Sequence, residues 1–437
     1  MGEKIEYGNK NIKRNSILSV IYKIISMLLS FVSAPLLLHC LGVEKYGIWT
    51  IIGSVIAWIY YSDLGIGSGL RNKLSISIAE NNPEKSRSLV SLSYVLVTIA
   101  LSVLLILAII IVESLDVSTI LNIQSSDENI KLCIIVFATF ACINFVLSLV
   151  NNVLYAVQRA SAVSFFNILG QGFFVLFLFV YSFTGIQIVL YAAIGQGLCQ
   201  FTKNIIMSAY VFKRYSILKP NFKKIEFQHS KEILSFGILI FITQISSYIH
   251  NSTDSIIISK MFSAADVTPY SFCFKYFSMI NSIYLVIISP LVSAYTVAWT
   301  KRDYTWVKST MKKSMLLFLL FAGGTIVAAC IFVPFSNIWL QQSLNYSPAL
   351  IVWTAVYFII LMLSHNFSSF LTGVGEIKAY TIVVAIGALI NIPVSVILAK
   401  YFGVAGVMLG SVISMLLNVI VCPYKTMKLL KERDSYK

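Results

Sequence analysis

Charge is what this sequence has least of. Asp, Glu, Lys and Arg make up 12% of its 437 residues, and acidic residues number only 18. A water-soluble globule normally carries about 25% charged residues, so a chain that is 58% hydrophobic has too little polar surface to face water all round. Cysteine is also thin in meaning: the seven (Cys40, Cys133, Cys142, Cys199, Cys273, Cys330, Cys422) are scattered singly, with no CxxC and no Cys/His cluster at metal spacing. They read as small apolar fillers, and no metal site is expected. There is no Walker-type loop, no HExxH, no GxSxG and no pair of carboxylates at useful spacing within one segment, which removes ATP hydrolysis and the familiar hydrolytic chemistries. Period-two alternation, the mark of a membrane β-barrel, is missing as well.

What is present is a succession of long apolar runs. A helix crossing roughly 30 Å of hydrocarbon needs about 20 largely uncharged residues. Twelve runs qualify, over residues 16–38, 46–66, 88–112, 131–155, 161–183, 186–209, 233–258, 267–290, 314–337, 348–371, 379–399 and 403–423. The expected fold is therefore all-α: a polytopic membrane protein of twelve transmembrane helices. The first run has no small-residue cleavage site behind it and reads as a retained helix, not a removable signal. Glu6 stands where a myristoylation signal wants Ser or Thr.

Lysine and arginine collect on the cytoplasmic side of membrane proteins. With the N-terminus cytoplasmic, 27 of the 33 basic residues fall in inside segments, and only Lys45, Lys131, Lys260 and Lys400 fall at outer ends. The even helix count then returns the C-terminus to the cytoplasm. The formal charge of +15 is explained by topology and by anionic inner-leaflet lipid, so no nucleic-acid partner is expected.

Six runs precede the basic stretch Lys213–Lys231 and six follow it. This divides the chain into an N-terminal six-helix bundle (1–212), a basic cytoplasmic linker (213–231) and a C-terminal six-helix bundle with a cytoplasmic tail (232–437). The halves look related. LYAVQRASA (154–162) and TGIQIVLYAAIGQ (184–196) recur as LTGVGEIKA (371–379) and FGVAGVMLGSVIS (402–414), at an offset of 217 to 218. Such pseudo-symmetric repeats are a transporter feature, with the substrate at their interface.

Four charged side chains fall well inside the runs: Lys23, Asp63, Asp254 and Lys275. A charge at bilayer depth costs about 2.5–3.5 kcal/mol on insertion scales and usually marks function. Polar stripes accompany them. Ser16, Ser19, Lys23, Ser26, Ser30 and Ser33 share one face of helix 1; Gln244, Ser247, Asn251 and Asp254 one face of helix 7; Ser271, Lys275, Ser278 and Ser282 one face of helix 8; and Asn144, Ser148, Asn151, Tyr155 and Gln158 one face of helix 4. Small Ser residues also serve close helix packing, and amides also glue helices; the charges on the stripes favour a hydrated cavity. Asp254 and Lys275 oppose each other across a hairpin centred near Ala264–Ala265, as a structural salt bridge or a gate; Lys23 stands in a similar relation to Asp63. His250 and His365 are the two histidines within helices, and unperturbed imidazoles titrate near neutral pH. After Asp63, Gly65, Gly67 and Gly69 are expected to loosen the cytoplasmic end of helix 2, with Arg71 and Lys73 at the inner headgroups.

LGVEKYGIW (41–49), Asp63-Leu-Gly with Arg71, Asp254-Ser-Ile-Ile-Ile and Tyr270 resemble the Wzx-type O-antigen and capsule-unit flippases of the multidrug/oligosaccharidyl-lipid/polysaccharide export superfamily. The resemblance implies a bacterial inner-membrane protein, not an enzyme, that carries undecaprenyl-diphosphate-linked oligosaccharide from the cytoplasmic to the periplasmic leaflet. It also implies two six-helix bundles around a central cavity, no cofactor, coupling to a proton or sodium gradient, and polymerase and chain-length proteins of the same pathway as partners. On this reading Lys23, Lys275 and Arg71 meet the anionic headgroup, Asp63, Asp254, His250 and His365 are the gating or ion-coupling candidates, and Asn144, Asn151, Gln244 and Asn251 line the polar cavity. The rival readings are a multidrug/cation antiporter of the same superfamily, whose site would be richer in carboxylates, and an O-antigen polymerase, whose large periplasmic loop has no counterpart here: the longest outer connection is 113–130.

Overall fold

The computed structural model describes residues 9–60, 65–121, 129–222 and 253–434. Among them every regular element is a helix: α1 (Asn9–Tyr60), α2 (Ile66–Ala79), α3 (Pro83–Ser114), α4 (Val117–Ile120), α5 (Ile130–Ser148), α6 (Val150–Ala156), α7 (Ala160–Ser182), α8 (Val189–Arg214), α9 (253–261), α10 (Ala264–Ile288), α11 (Leu291–Thr300), α12 (Tyr304–Leu340), α13 (Pro348–Gly373), α14 (Ile377–Phe402) and α15 (Val404–Asp434). With no water to satisfy amides in hydrocarbon, a spanning segment must close its hydrogen bonds internally, which is why long apolar runs become helices. Nine of the described helices are long and apolar enough to cross a membrane, and the chain is a multi-pass membrane protein. The apolar residues face outward accordingly: Leu316, Leu320, Ile338 and Leu389 are 69 to 80% exposed.

The chain falls into two compact units, divided between Gln244 and Ile245. In the first, α1 is 52 residues long, about 78 Å at 1.5 Å per residue and far more than one crossing needs. It breaks at Gly42, whose φ of 76° and ψ of 172° lie outside helical space and suit only glycine. The contacts on either side show a reversal. Ser19 meets Ser164 and Cys40 meets the Leu178 carbonyl as the chain advances along α7, whereas Trp49, beyond the break, stacks back on Phe174. The first two expected runs are thus the arms of one hairpin. Gly65 then turns left-handed (φ 73°) and opens α2 afresh, so Arg71 and Lys73 ride on a new helix instead of a loosened end.

Both units carry the same helix terminus at the repeated sequence. At Leu154–Arg159, Gln158 adopts φ 59° and the Arg159 amide bonds the Leu154 carbonyl at 2.8 Å; at Leu371–Glu376, Gly375 adopts φ 82° and the Glu376 amide bonds the Leu371 carbonyl at 2.8 Å. This is the Schellman pattern, a left-handed residue letting an amide reach back to an orphan carbonyl. Gly185 (φ 67°) and Gly403 (φ 63°) form a second matched pair at an offset of 218. The internal repeat is therefore conformational as well as textual.

Several helices run past their apolar runs. Capped by Asp303, whose carboxylate accepts from the Trp306 amide at 3.0 Å, α12 starts ten residues before the expected boundary. Its early turns expose Lys308, Lys312 and Lys313, the amphipathic part that hydropathy leaves out.

Candidate functional site

In the C-terminal unit α14 and α15 pack almost backbone to backbone. A Cβ added at Gly406 would lie 2.2 Å from the Leu398 carbonyl oxygen, and one at Gly410 would lie 2.3 Å from Ser395 Oγ. Gly406, Gly410 and Ser414 recur every four residues, the small-residue spacing that lets membrane helices touch. That approach brings Asn391 of α14 within reach of α15. Its amide nitrogen donates to Ser411 Oγ at 2.9 Å and to Ser414 Oγ at 3.3 Å. Thr253 Oγ1, on α9, donates to the Asn391 oxygen at 3.3 Å.

Asp254 sits at the centre of this network with 1% of its surface exposed. Its carboxylate accepts from Ser411 Oγ at 3.1 and 3.2 Å and from the Tyr270 hydroxyl at 3.2 Å. Four helices (α9, α10, α14, α15) thus converge on one carboxylate surrounded by hydroxyls and an amide, with every partner buried. Oxygen-rich surroundings of this kind stabilise a charge or bind a small hard cation or proton. Among the described residues no group of His, Cys, Asp and Glu has the makings of a transition-metal site.

The expected Asp254–Lys275 pair does not form. The helix break falls at residues 262–263, and Ser263 caps α10: its Oγ accepts from the Asp266 amide at 3.2 Å and donates to the Asp266 carboxylate at 2.6 Å. The apex therefore lies two to three residues earlier than Ala264–Ala265, so the residue opposite Asp254 is Tyr270 and not Lys275. The Ser263-Ala-Ala-Asp266 capping box carried that register in the sequence. Lys275 is half-buried one and a half turns further along α10, and Lys23 is exposed on α1. Asp63, Gln244, His250 and Asn251 lie outside the described residues. His365 is half-buried on α13, where the Ser368 hydroxyl donates to its carbonyl.

In the N-terminal unit the Arg71 guanidinium lies over the Tyr155 ring, 4.9 Å from its centroid, a cation–π contact between α2 and α6. Asn144 is buried and structural: its amide donates to the Gly197 carbonyl at 3.0 Å, and Asn204 donates back to its side-chain oxygen at 3.1 Å. Asn151 is half-buried, with a side-chain oxygen that has no hydrogen-bond partner. The serine stripe of α1 divides: Ser19 packs on Ser164 and Ser33 bonds its own helix at Ser30, as helix-packing serines do.

Lys203 is the residue the sequence reading misplaced. One of the 27 basic residues that charge alone assigns to the cytoplasmic side, it is 6% exposed on α8, ten residues before Lys213 and about 15 Å along the axis from it. It lines a half-open cavity of about 350 Å³ between the second arm of α1, α5 and α8. The signal was a lysine on the face of Gln196 and Gln200, read as the end of a run.

A profile of the polysaccharide biosynthesis protein family matches residues 12–296, and a MatE profile matches residues 240–397. The chain belongs to the polysaccharide biosynthesis protein family. It is 27% identical over 422 residues to a putative O-antigen transporter of Salmonella typhi, covering 91% of each chain, and 24% identical to a putative O-antigen export protein of Yersinia pseudotuberculosis over the same shares. Its fold is similar to that of a solved multidrug resistance MATE family transporter of the MOP superfamily (TM-score 0.76, 16% identity, 95% of this chain and 99% of that one). The resemblance to Wzx-type flippases, drawn from short motifs, thus holds over nearly the whole length of this family member.

Proposed function

We propose that this protein is a flippase that carries undecaprenyl-diphosphate-linked oligosaccharide repeat units from the cytoplasmic to the periplasmic leaflet of a bacterial inner membrane, by alternating access. The observation that carries the reading is the end-to-end similarity to a putative O-antigen transporter, 91% of each chain. Physical chemistry supplies the division of labour. A diphosphate cannot cross hydrocarbon unshielded, so cations must stand in for its hydration while the polyprenyl chain stays in lipid. Lys23 and Lys275 are the shielding cations of this proposal, and Arg71, held over Tyr155, is the headgroup contact at the cytoplasmic surface. Asp254 is the coupling group: a buried carboxylate ringed by Tyr270, Ser411 and Asn391 is suited to take up and release a proton or sodium ion as the hydroxyls around it shift. No chemical step is assigned to the chain.

Deleting the gene in its own host tests the reading. Surface polysaccharide should disappear, lipid-linked repeat units should accumulate in the cytoplasmic leaflet, and a plasmid copy should reverse both. Normal polysaccharide together with heightened sensitivity to cationic drugs would replace this reading with the multidrug antiporter.

A further inference from the structure

The N-terminal unit contains a cavity that the transport scheme above does not use. It lies between the second arm of α1, α5 and α8 and has a volume of about 350 Å³. Lys203 reaches it from α8. This side chain is 94% withdrawn from solvent, and among the described residues it makes no hydrogen bond or ion pair. No carboxylate lines the cavity. The ammonium opens onto a half-open cavity that offers it no counter-charge, so an anion is the complement this lining lacks.

The rest of the lining has a consistent chemistry. Gln200 and Gln196 supply amides one and two turns from Lys203 on the same helix. Opposite them stands an aromatic wall, Trp49 braced by Phe137 at 5.0 Å between ring centroids and by Phe174 at 6.5 Å. The lysine is also steered. Its stem passes over Gly170 of α7, where a Cβ would come within 3.2 Å of the Lys203 side chain, and Gly197 leaves room on the far side for Phe140. A cation, several amides and a flat apolar wall together match a sugar ring that carries a carboxylate. The ammonium takes the carboxylate, the amides take ring hydroxyls as donor and acceptor, and the aromatic face takes the ring's C–H face. A volume of about 350 Å³ accommodates one such ring, and the open side leaves the rest of a repeat unit room outside.

We infer that the cavity around Lys203 is a binding subsite for an acidic monosaccharide residue, its carboxylate on Lys203 and its ring against Trp49. This deepens the transport reading, on which it rests, by assigning the chain a uronate-type sugar in the unit it carries.

The test uses the full-length purified protein in lipid nanodiscs, titrated with methyl glucuronide, methyl glucoside and inorganic phosphate, with saturation-transfer NMR as the readout. Methyl glucuronide should bind roughly tenfold or more tightly than methyl glucoside, the effect of one charged hydrogen-bonded contact. Lys203→Met should erase that preference and Lys203→Arg should keep it. Should Lys203→Met fail to fold, Lys203→Gln serves instead: it removes the charge, keeps a polar tip on the same helix face, and should weaken glucuronide binding while sparing glucoside. Equal binding of the two glycosides, a preference that survives Lys203→Met, or phosphate displacing glucuronide from the site would each overturn the assignment. Because the readout is binding by purified protein, its failure leaves the deletion phenotype intact, and an absent deletion phenotype leaves the binding result intact.

Discussion

Tyr270 hands its hydroxyl hydrogen to Asp254 across the α9–α10 hairpin at 3.2 Å, five residues before the lysine that simple hairpin arithmetic sets against that carboxylate. Two kinds of donor, the Tyr270 phenol and the Ser411 hydroxyl, hold one buried carboxylate between four helices. Two substitutions separate charge from geometry here. Asp254→Asn keeps the size and an acceptor oxygen but removes the charge; surface polysaccharide should be lost while the melting temperature of the purified protein moves little. Tyr270→Phe keeps the charge and removes a donor, which should cost about 1–3 kcal/mol of stability and only lower transport. Equal loss of transport in Asp254→Asn and Asp254→Glu would assign the residue to geometry alone.

Why the sequence led to Lys275 and not Tyr270 is instructive. Long apolar runs locate helices because the bilayer leaves no alternative: among the described helices α3, α5 to α8, α10 and α12 to α15 fall on expected spans, whereas α1 joins the first two runs in one kinked element, α2, α4 and α11 fall between runs, and only 253–261 of the seventh is described. A run has no sharp edge, however, and a register error of two or three residues moves a partner by most of a turn. Capping chemistry would have fixed the apex at Ser263, as Asp303 fixes the start of α12. Lys203 was missed for the converse reason. Charge alone suggested a membrane surface, whereas depth depends on where α8 ends, and α8 continues to Arg214. The Asn391–Ser411–Ser414 network was invisible because no periodicity within one helix reveals a contact between two; the Gly406/Gly410 spacing, already quoted in the repeat, was the available sign.

That spacing makes its own prediction. Gly410→Ala should destabilise the C-terminal unit by about 1–3 kcal/mol, since the new methyl would sit 2.5 Å from the Ser395 Cα, a backbone atom that cannot turn aside. Gly323→Ala on α12, where a Cβ would meet nothing within 4 Å, should be neutral or slightly stabilising, because alanine holds a helix better than glycine. Thermal melts of the two variants in the same detergent check the pair. Similar melting temperatures would remove the close approach of α14 and α15 as a source of stability.

Lys23 and Lys275 carry the headgroup part of the proposal. Alanine at either position should abolish surface polysaccharide without lowering the amount of protein in the membrane, and arginine should restore part of it, because a guanidinium also binds phosphate oxygens. The measurement is an immunoblot of surface polysaccharide beside one of the membrane fraction. Lys275 lies clear of the Asp254 network, so the loss of melting temperature caused by Tyr270→Phe should be the same with and without Lys275→Ala.

Topology can be read from the few lysines at the outer ends. Lys45 donates to the Gln187 carbonyl at 2.7 Å and Lys131 to the Glu113 carbonyl at 3.0 Å, so each is bound to backbone at a helix turn. The basic residues concentrated on α12 and the tail are then the ones that set orientation, with the cytoplasm on their side. Cysteine placed at Ile186, an exposed position beside the Lys45 anchor, should therefore react with a membrane-impermeant maleimide on intact spheroplasts. Cysteine at Glu80, at the exposed end of α2, should react only after the membrane is opened. Labelling in the opposite order would invert the chain and place Arg71, with its Tyr155 contact, on the periplasmic face, where it could not receive a substrate made in the cytoplasm.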